Sequence, residues 1–336
     1  MNRTAFLAGS FAAGLIIESP RGRRLEGRGD EQYDPAIAST GPALRVLLGT
    51  GAASAIDAQS FLYDGRRYRG TFALRGDGTV LSTVPLEGYL YSVVAREMSP
   101  SWPAAALAAQ AIAARTYVLQ RSNPRRDYDV VTSEADQVYG GIEAEAPAAS
   151  AAVDATAGVV LRYGDAFAQL FYSSSCGGHT ESSADAWTGG ANLPYLQGVI
   201  CPWCTKSPDY TWTREVSGDA LAHAFPGPTV GTPMGLSVAS SDPSGRARDL
   251  VLTGDAGSAS TRGTAFRAAL GSRVIRSLLI RGITPGTGPG SFVIEGGGLG
   301  HGVGLCQWGA RGMAAAGKSA DDILNFYFPG TQRSND

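Results

Sequence analysis

From Ala43 to Val84 apolar and polar positions alternate with the period of a half-buried strand. Leu44 to Leu48, Ser60 to Tyr63 and Tyr68 to Leu74 read as strands, with Asp64-Gly65 and Asp77-Gly78 as hairpin turns. The period then changes. Leu86, Leu90, Val93 and Val94 fall at helical spacing after Pro85, a residue tolerated in a first turn because its missing N–H would be unpaired there. This predicts a helix from Leu86 to about Met98, stopped by Ser99-Pro100-Ser101-Trp102-Pro103, with Ser101 or Trp102 capping the next one. That second helix carries Leu107, Ala111, Ala114 and Val118 on one face and ends at Asn123-Pro124. Its apolar positions are mostly alanine, so its neighbours must approach closely.

Downstream, Val130-Val131 and Gln137 to Gly141 read as short extended pieces and Ala146 to Gly158 as a helix. Val159 to Tyr163 and Ala166 to Tyr172 form a predicted hairpin over Gly164-Asp165. Strands at Asp209 to Val216, Asp249 to Thr253 and Ser277 to Ile280 alternate with helices near Asp219 to Phe225 and Thr261 to Leu270. A strand beginning at Phe292 enters a glycine-rich block that runs to Met313, and Ser319 with Asp322 caps a last helix through Tyr327. The expected class is α+β: one β-hairpin-rich unit over residues 43–331 with a central pair of helices and a glycine-rich loop. Residues 205–290 are expected to form a smaller α/β subdomain or insertion.

Composition narrows the class of function. With 43% hydrophobic and 17% charged residues in 336, the chain can bury a substantial core. A net charge of −2 gives no footprint for nucleic acid, so none is expected as a partner. The 45 glycines and 18 prolines imply many turns and close backbone approaches. Arg3 followed by the apolar run Ala5 to Ile17 reads as a signal peptide or short anchor, and residues 18–42 as a linker. Export to the periplasm or cell envelope is the expectation.

Three stretches carry candidate chemistry. Glu97 ends the first helix, where the partial negative charge of a helix C-terminus disfavours an ionised carboxylate, as a general acid requires. Most such glutamates are solvated surface residues, so the case rests on its surroundings. Gln110 and Arg115 interrupt the alanine-rich helix and project either toward Glu97 or into water. In the second stretch, Cys176-x-x-His179 and Cys201-x-x-Cys204 offer two close ligand pairs, the arrangement of a closed structural zinc site. Disulfides, Cys201–Cys204 or Cys176 with Cys306, are the alternative in an oxidising compartment, but they leave His179 unexplained. The third is FVIEGGGLGHGVGLCQWGARGM, Phe292 to Met313, in which no register satisfies G-x-G-x-x-G. Its glycines permit backbone to lie against a bulky ligand, with His301 and Gln307 as polar side chains; a tight turn around a buried histidine is the competing reading.

Taken together, VVAREM…AAQAIAARTY, YSSSCGGHTE, GLGHGVGLCQWGA and ILNFYFPGT resemble the SpoIID/LytB family in the same order over about Val84 to Thr331. The resemblance implies a cell-wall lytic transglycosylase acting on peptidoglycan glycan strands, or, as in the amidase enhancers, a wall-binding module that activates an amidase. It puts the catalytic glutamate on Glu97 and makes Gln110, Arg115, Tyr117, Tyr172, Ser174, Ser175, His301 and Gln307 site-lining. Some relatives hold zinc through Cys and His; here the expected ligands are Cys176, His179, Cys201 and Cys204. The chain departs from the commonest form at Cys306, where many relatives have serine, which leaves that thiol as a ligand, a disulfide partner or a buried group. Glu134, Asp136 and Glu181 are the candidates for a second carboxylate, should one be used.

Overall fold

The computed structural model describes residues 36–335 apart from 134, 135, 188, 228 and 229. The apolar run at the N-terminus, most of the expected linker and Glu134 lie outside the described residues. The class is α+β, with eight α-helices and several small sheets among the described residues.

The first core forms because a strand of alternating burial feeds directly into two helices that are buried nearly all round. Strand Ala43–Thr50 turns Leu44, Val46 and Leu48 inward and pairs antiparallel with Thr79–Pro85, in a four-stranded sheet ordered Thr71–Leu74, Thr79–Pro85, Ala43–Thr50, Val130–Val131. Pro85 ends the strand and starts helix α1 (Leu86–Glu97), so sheet and helix share a fixed junction. Helix α2 (Ala104–Arg121) follows. Pro103, not Ser101 or Trp102, occupies its cap position, without a side-chain cap bond, so the proline alone sets the helix start. Its alanines do what their size permits, letting α1, α3 (Pro147–Ala155), α7 (Gln307–Ala315) and α8 (Ala320–Tyr327) all pack against it. The capping box at Ser319 and Asp322 is formed, with both reciprocal bonds present.

Arg115 is the polar exception within α2, and it faces neither Glu97 nor water. Its guanidinium makes a two-point ion pair with Glu87 of α1, Nε to Oε1 at 2.8 Å and Nη2 to Oε2 at 2.7 Å, and Nη1 donates to the Val159 carbonyl. Both side chains are fully buried. Glu87 also accepts from the Gly158 N–H, so this pair ties α1, α2 and the end of α3 together. Removing one partner of such a pair leaves an uncompensated buried charge and costs about 3–5 kcal/mol.

A second core gathers Trp212, Leu221, Phe225, Leu250, Leu252, Phe266, Phe292 and Ile294. It lies between the sheet Trp212–Val216, Phe292–Gly297, Leu279–Pro285 and the meander Pro233–Ser241, Ala247–Gly254, Gly257–Arg262, with α5 (Gly218–Ala224) and α6 (Gly263–Leu270) against them. Strand Phe292–Gly297 then carries the chain back toward the first core as the glycine-rich loop. The predicted hairpin after α3 is interrupted. Ala166–Phe167 pairs with Val159–Tyr163, whereas Tyr172–Ser173 leaves that sheet to run parallel to Leu305–Cys306. The 137–141 stretch is not a strand either. It hangs on side chains of α1 and α2: Gly140 N–H donates to Ser92 Oγ (2.8 Å), Tyr89 Oη to Gln137 Oε1 (3.0 Å), and Gln137 Nε2 to the Ala114 carbonyl (3.2 Å).

Candidate functional site

Glu97 is the last residue of α1 and is half-buried. Met98 turns to an extended conformation there, so the carboxylate is presented at the point where the helix stops. Two donors reach it from distant parts of the chain: the Val138 N–H at 3.4 Å from Oε1, and Gln307 Nε2 at 3.1 Å from Oε2. Val138 is placed by the hung 137–141 stretch, and Gln307 by being the first residue of α7. Beside them Trp102 and Trp308 meet edge to face with ring centroids 5.0 Å apart, and the Arg311 guanidinium covers both rings, 4.7 Å from the Trp308 centroid. Both tryptophans are only partly buried and form an aromatic shelf, and Trp308 directly follows the Gln307 that reaches the carboxylate. On the other side Tyr89, Tyr117 and Tyr172 have their phenols pushed up by burial, with the charge of Glu97 adding to the effect. Tyr117 Oη donates to Asp136 Oδ1 (2.8 Å), and Asp136 is otherwise occupied by the Val131 N–H and Arg121. Asp136 therefore holds Tyr117 in place.

The cysteines form a separate centre. Cys176, Cys201, Cys204 and Cys306 are all buried and unbridged, with their sulfurs within 4.8 Å of one another. His179 is not among them. Its Nδ1 is 2.7 Å from the Thr180 carbonyl oxygen, and its backbone bridges to Ile200. The fourth corner expected of His179 is filled by Cys306, which the parallel pairing of Ser173 with Cys306 carries into the cluster. Four thiols and no histidine are the donor set of a closed tetrahedral zinc site, and that chemistry fits the residues present.

Residues 75–163, from the last strands of the first sheet through α1, α2 and α3, match the family model described as Stage II sporulation protein. Relatives extend the likeness beyond that region. The Stage II sporulation protein D of Bacillus amyloliquefaciens is 32% identical over 271 residues, covering 76% of this chain and 75% of that protein. An uncharacterized protein of Brachyspira hyodysenteriae is 36% identical over 259 residues, covering 75% and 67%. The chain belongs to the SpoIID/LytB family. The Amidase enhancer of Bacillus subtilis is a further relative, 29% identical over 296 residues, covering 72% of this chain and 40% of that protein. Family membership makes this a cell-wall-related protein.

Not every residue that the family resemblance nominated lines the Glu97 site of this SpoIID/LytB chain. Gln307 does, directly, and Tyr117 and Tyr172 flank it with rings 6.3 Å apart. Arg115 does not, being locked to Glu87. Gln110 is fully buried in α2 and its amide has no hydrogen-bond partner among the described residues, so it is a core residue and not a surface for substrate. Ser174 acts through its backbone, its carbonyl accepting from the Trp308 N–H at 3.0 Å where α7 begins. Ser175 is buried and pairs with Leu299.

His301 belongs to a different cleft. Its Nδ1 accepts from the Val303 N–H at 3.0 Å, and its ring packs against Trp187 and Phe171. Burial pushes it down to about 4, against a backbone bond to Tyr172 that works the other way, while Arg246 and Arg267 add to the lowering. It lines a cavity of about 530 Å³ together with Glu181, Asp185, Trp187, Arg246 and Arg267, and Glu97 does not line that cavity. The candidate site is placed by the Glu97 carboxylate and its two donors, which lie outside the lining of this cavity. The loop glycines also answer to the protein. A Cβ on Gly298 would lie 2.7 Å from the Ser175 carbonyl, and one on Gly304 2.2 Å from the Phe171 carbonyl, at positive φ in both cases. The loop is glycine-rich so that it can thread against the 171–177 segment, where the bulky-ligand reading had expected a ligand.

Sequence reasoning passed over Trp102, Trp308, Arg311 and Val138. Trp308 stood beside Gln307 in the quoted block, and a signal was available there; nothing local marks the Val138 N–H, which depends on contacts 41 residues away.

Proposed function

We propose that this chain is an exported peptidoglycan lytic transglycosylase that cleaves the bond between N-acetylmuramic acid and N-acetylglucosamine in glycan strands, with Glu97 as general acid and base. The observation that carries the reading is one accessible carboxylate at a helix end, held by Gln307 Nε2 and the Val138 N–H. A hydrolysing glycosidase ordinarily needs two carboxyl groups, one of them to act as nucleophile or to activate water. A single acid suffices when the substrate supplies its own nucleophile. Protonated Glu97 donates to the glycosidic oxygen as its bond to C1 breaks. The C6 hydroxyl of the muramic acid attacks C1, its proton passes to Glu97, and the acid is restored. One C–O bond breaks and one forms, no water is consumed, and the products are a 1,6-anhydro end and a free 4-hydroxyl. Gln307, donating to Oε2, favours the carboxylate at the stage when it must accept that proton. The shelf of Trp102 and Trp308 offers an apolar face for a pyranose ring.

The name of the Amidase enhancer relative favours one competing reading, a wall-binding module that stimulates an amidase without cutting glycan. Mass spectrometry of fragments from purified, peptide-free glycan separates the two. The enzyme yields products one water lighter than hydrolytic ones, lost in Glu97→Gln with the fold intact. The activating module yields none, and its stimulation of a partner amidase survives the same substitution.

A further inference from the structure

We infer that Cys176, Cys201, Cys204 and Cys306 bind one zinc ion as a closed tetrathiolate site, and that this site fixes Gln307 against Glu97. The four sulfurs come from three separate segments and converge in the interior to within 4.8 Å of one another, with Cys176 Sγ and Cys204 Sγ 3.6 Å apart. Tetrahedral zinc with bonds of about 2.3 Å to sulfur sets neighbouring sulfurs about 3.8 Å apart, so the ion needs only a small contraction of the cluster.

The surroundings are built for thiolates. Cys306 Sγ accepts two backbone N–H bonds, from Cys176 at 3.2 Å and from Gly309 at 3.3 Å in the first turn of α7. Tyr327 Oη lies 3.1 Å from Cys201 Sγ. Such contacts to metal-bound sulfur orient the ligand and stabilise its charge. Buried Arg246 places a guanidinium against the Cys176 carbonyl at 2.9 Å, which offsets the negative charge of four thiolates around a divalent ion. Gly309 marks how tightly the centre is wrapped, since a Cβ there would sit 2.9 Å from Cys201 Sγ and 1.9 Å from Tyr327 Oη. All four thiols are unbridged in the structure, so no disulfide pairing competes with the ion for them.

The consequence for the Glu97 site is short-range. Cys306 is followed immediately by Gln307, and Cys176 is preceded by the Ser174 carbonyl that receives the Trp308 N–H. Binding exchanges thiol protons for the ion and cross-links these segments, so the four cysteines are positioning residues for Gln307 and Trp308.

The test uses the full chain purified without chelator. Elemental analysis is expected to find about one zinc per chain in wild type and in His179→Ala, and less than about a tenth of that in Cys306→Ala. Should Cys306→Ala not fold, refolding the wild type with Co2+ decides: a tetrahedral tetrathiolate gives intense visible d–d bands and strong sulfur-to-cobalt charge transfer. A metal-free native protein whose thiols react freely with a thiol reagent would overturn the proposal. So would disulfides found on mapping, or zinc lost in His179→Ala and kept in Cys306→Ala. Where glycan cleavage can also be followed, removing the metal from folded protein should lower it in step with the loss of zinc. The metal readouts stand whether or not the chain cuts glycan.

Discussion

Two glutamates on either side of the glycine-rich loop illustrate how differently one fold can treat the same side chain. Glu181 is buried beside Arg246, Ser244 and Asp242, and desolvation raises its carboxyl to about 7 in spite of the Arg246 charge. Glu97 is half-exposed and meets the neutral donors Val138 N–H and Gln307 Nε2. Its shift alone would nominate Glu181 as an acid. Judged by access, Glu97 is open to solvent and Glu181 is not. A shifted carboxyl marks burial first and function only where a substrate can arrive.

Exchanging each acid in turn is the severest way to break that comparison. Glu97→Gln should lower glycan cleavage roughly a hundredfold to ten-thousandfold, the usual worth of a general acid–base, while Glu181→Gln should leave most of it; turnover on peptide-free glycan reads both. Next comes Arg115, beneath the site. Arg115→Ala should cost about 3–5 kcal/mol in urea unfolding by stranding Glu87, and Arg115→Lys should not restore it, because a lysine lacks the two-point fork. Gln307→Ala should reduce kcat by roughly tenfold to a hundredfold, as expected when a hydrogen bond to a charged group worth about 1.5–3 kcal/mol is removed, with little loss of stability. Trp308→Ala should act mainly on KM for long strands, by several-fold, since the lost stacking is worth about 0.5–1.5 kcal/mol.

The effects of pH are read on stability and not on turnover, and they have opposite signs. Glu181 is raised in the fold to about 7 from an ordinary 4.5, so its contribution is fully present below about 4.5 and is lost as pH rises through about 7. His301 is lowered to about 4 from 6.5, so its contribution is present above about 6.5 and is lost as pH falls through about 4. Urea midpoints across that range should lose their neutral-side decline in Glu181→Gln and retain their acid-side decline. Loss of the acid-side decline in Glu181→Gln instead would reverse the assignment.

Local features were legible in the sequence. The helix running from Leu86 to its acidic end, the proline that starts it and the Ser319–Asp322 box all follow from short-range spacing, and the structure has each of them. What periodicity could not supply was partnership. Arg115 and Gln110 lie on a helix whose faces are all buried, so an amphipathic reading had no solvent side to assign them. His179 satisfied a C-x-x-H spacing, yet the parallel pairing of Tyr172–Ser173 with Leu305–Cys306, more than 130 residues apart, delivers Cys306 to the cluster instead. The glycines of the 298–304 loop could be read as room for a ligand or as a tight turn, and Gly298 and Gly304 turn out to make room for the protein's own backbone. In each case the deciding contact is long-range, and a single sequence records only its two ends.

The central claim is that the substrate's own hydroxyl, and not water, captures C1 while one carboxyl moves the proton. Cleavage of purified glycan in water enriched in 18O tests this most directly. The account predicts anhydro ends that carry no label; labelled reducing ends, formed by wild type and lost in Glu97→Gln, would contradict it.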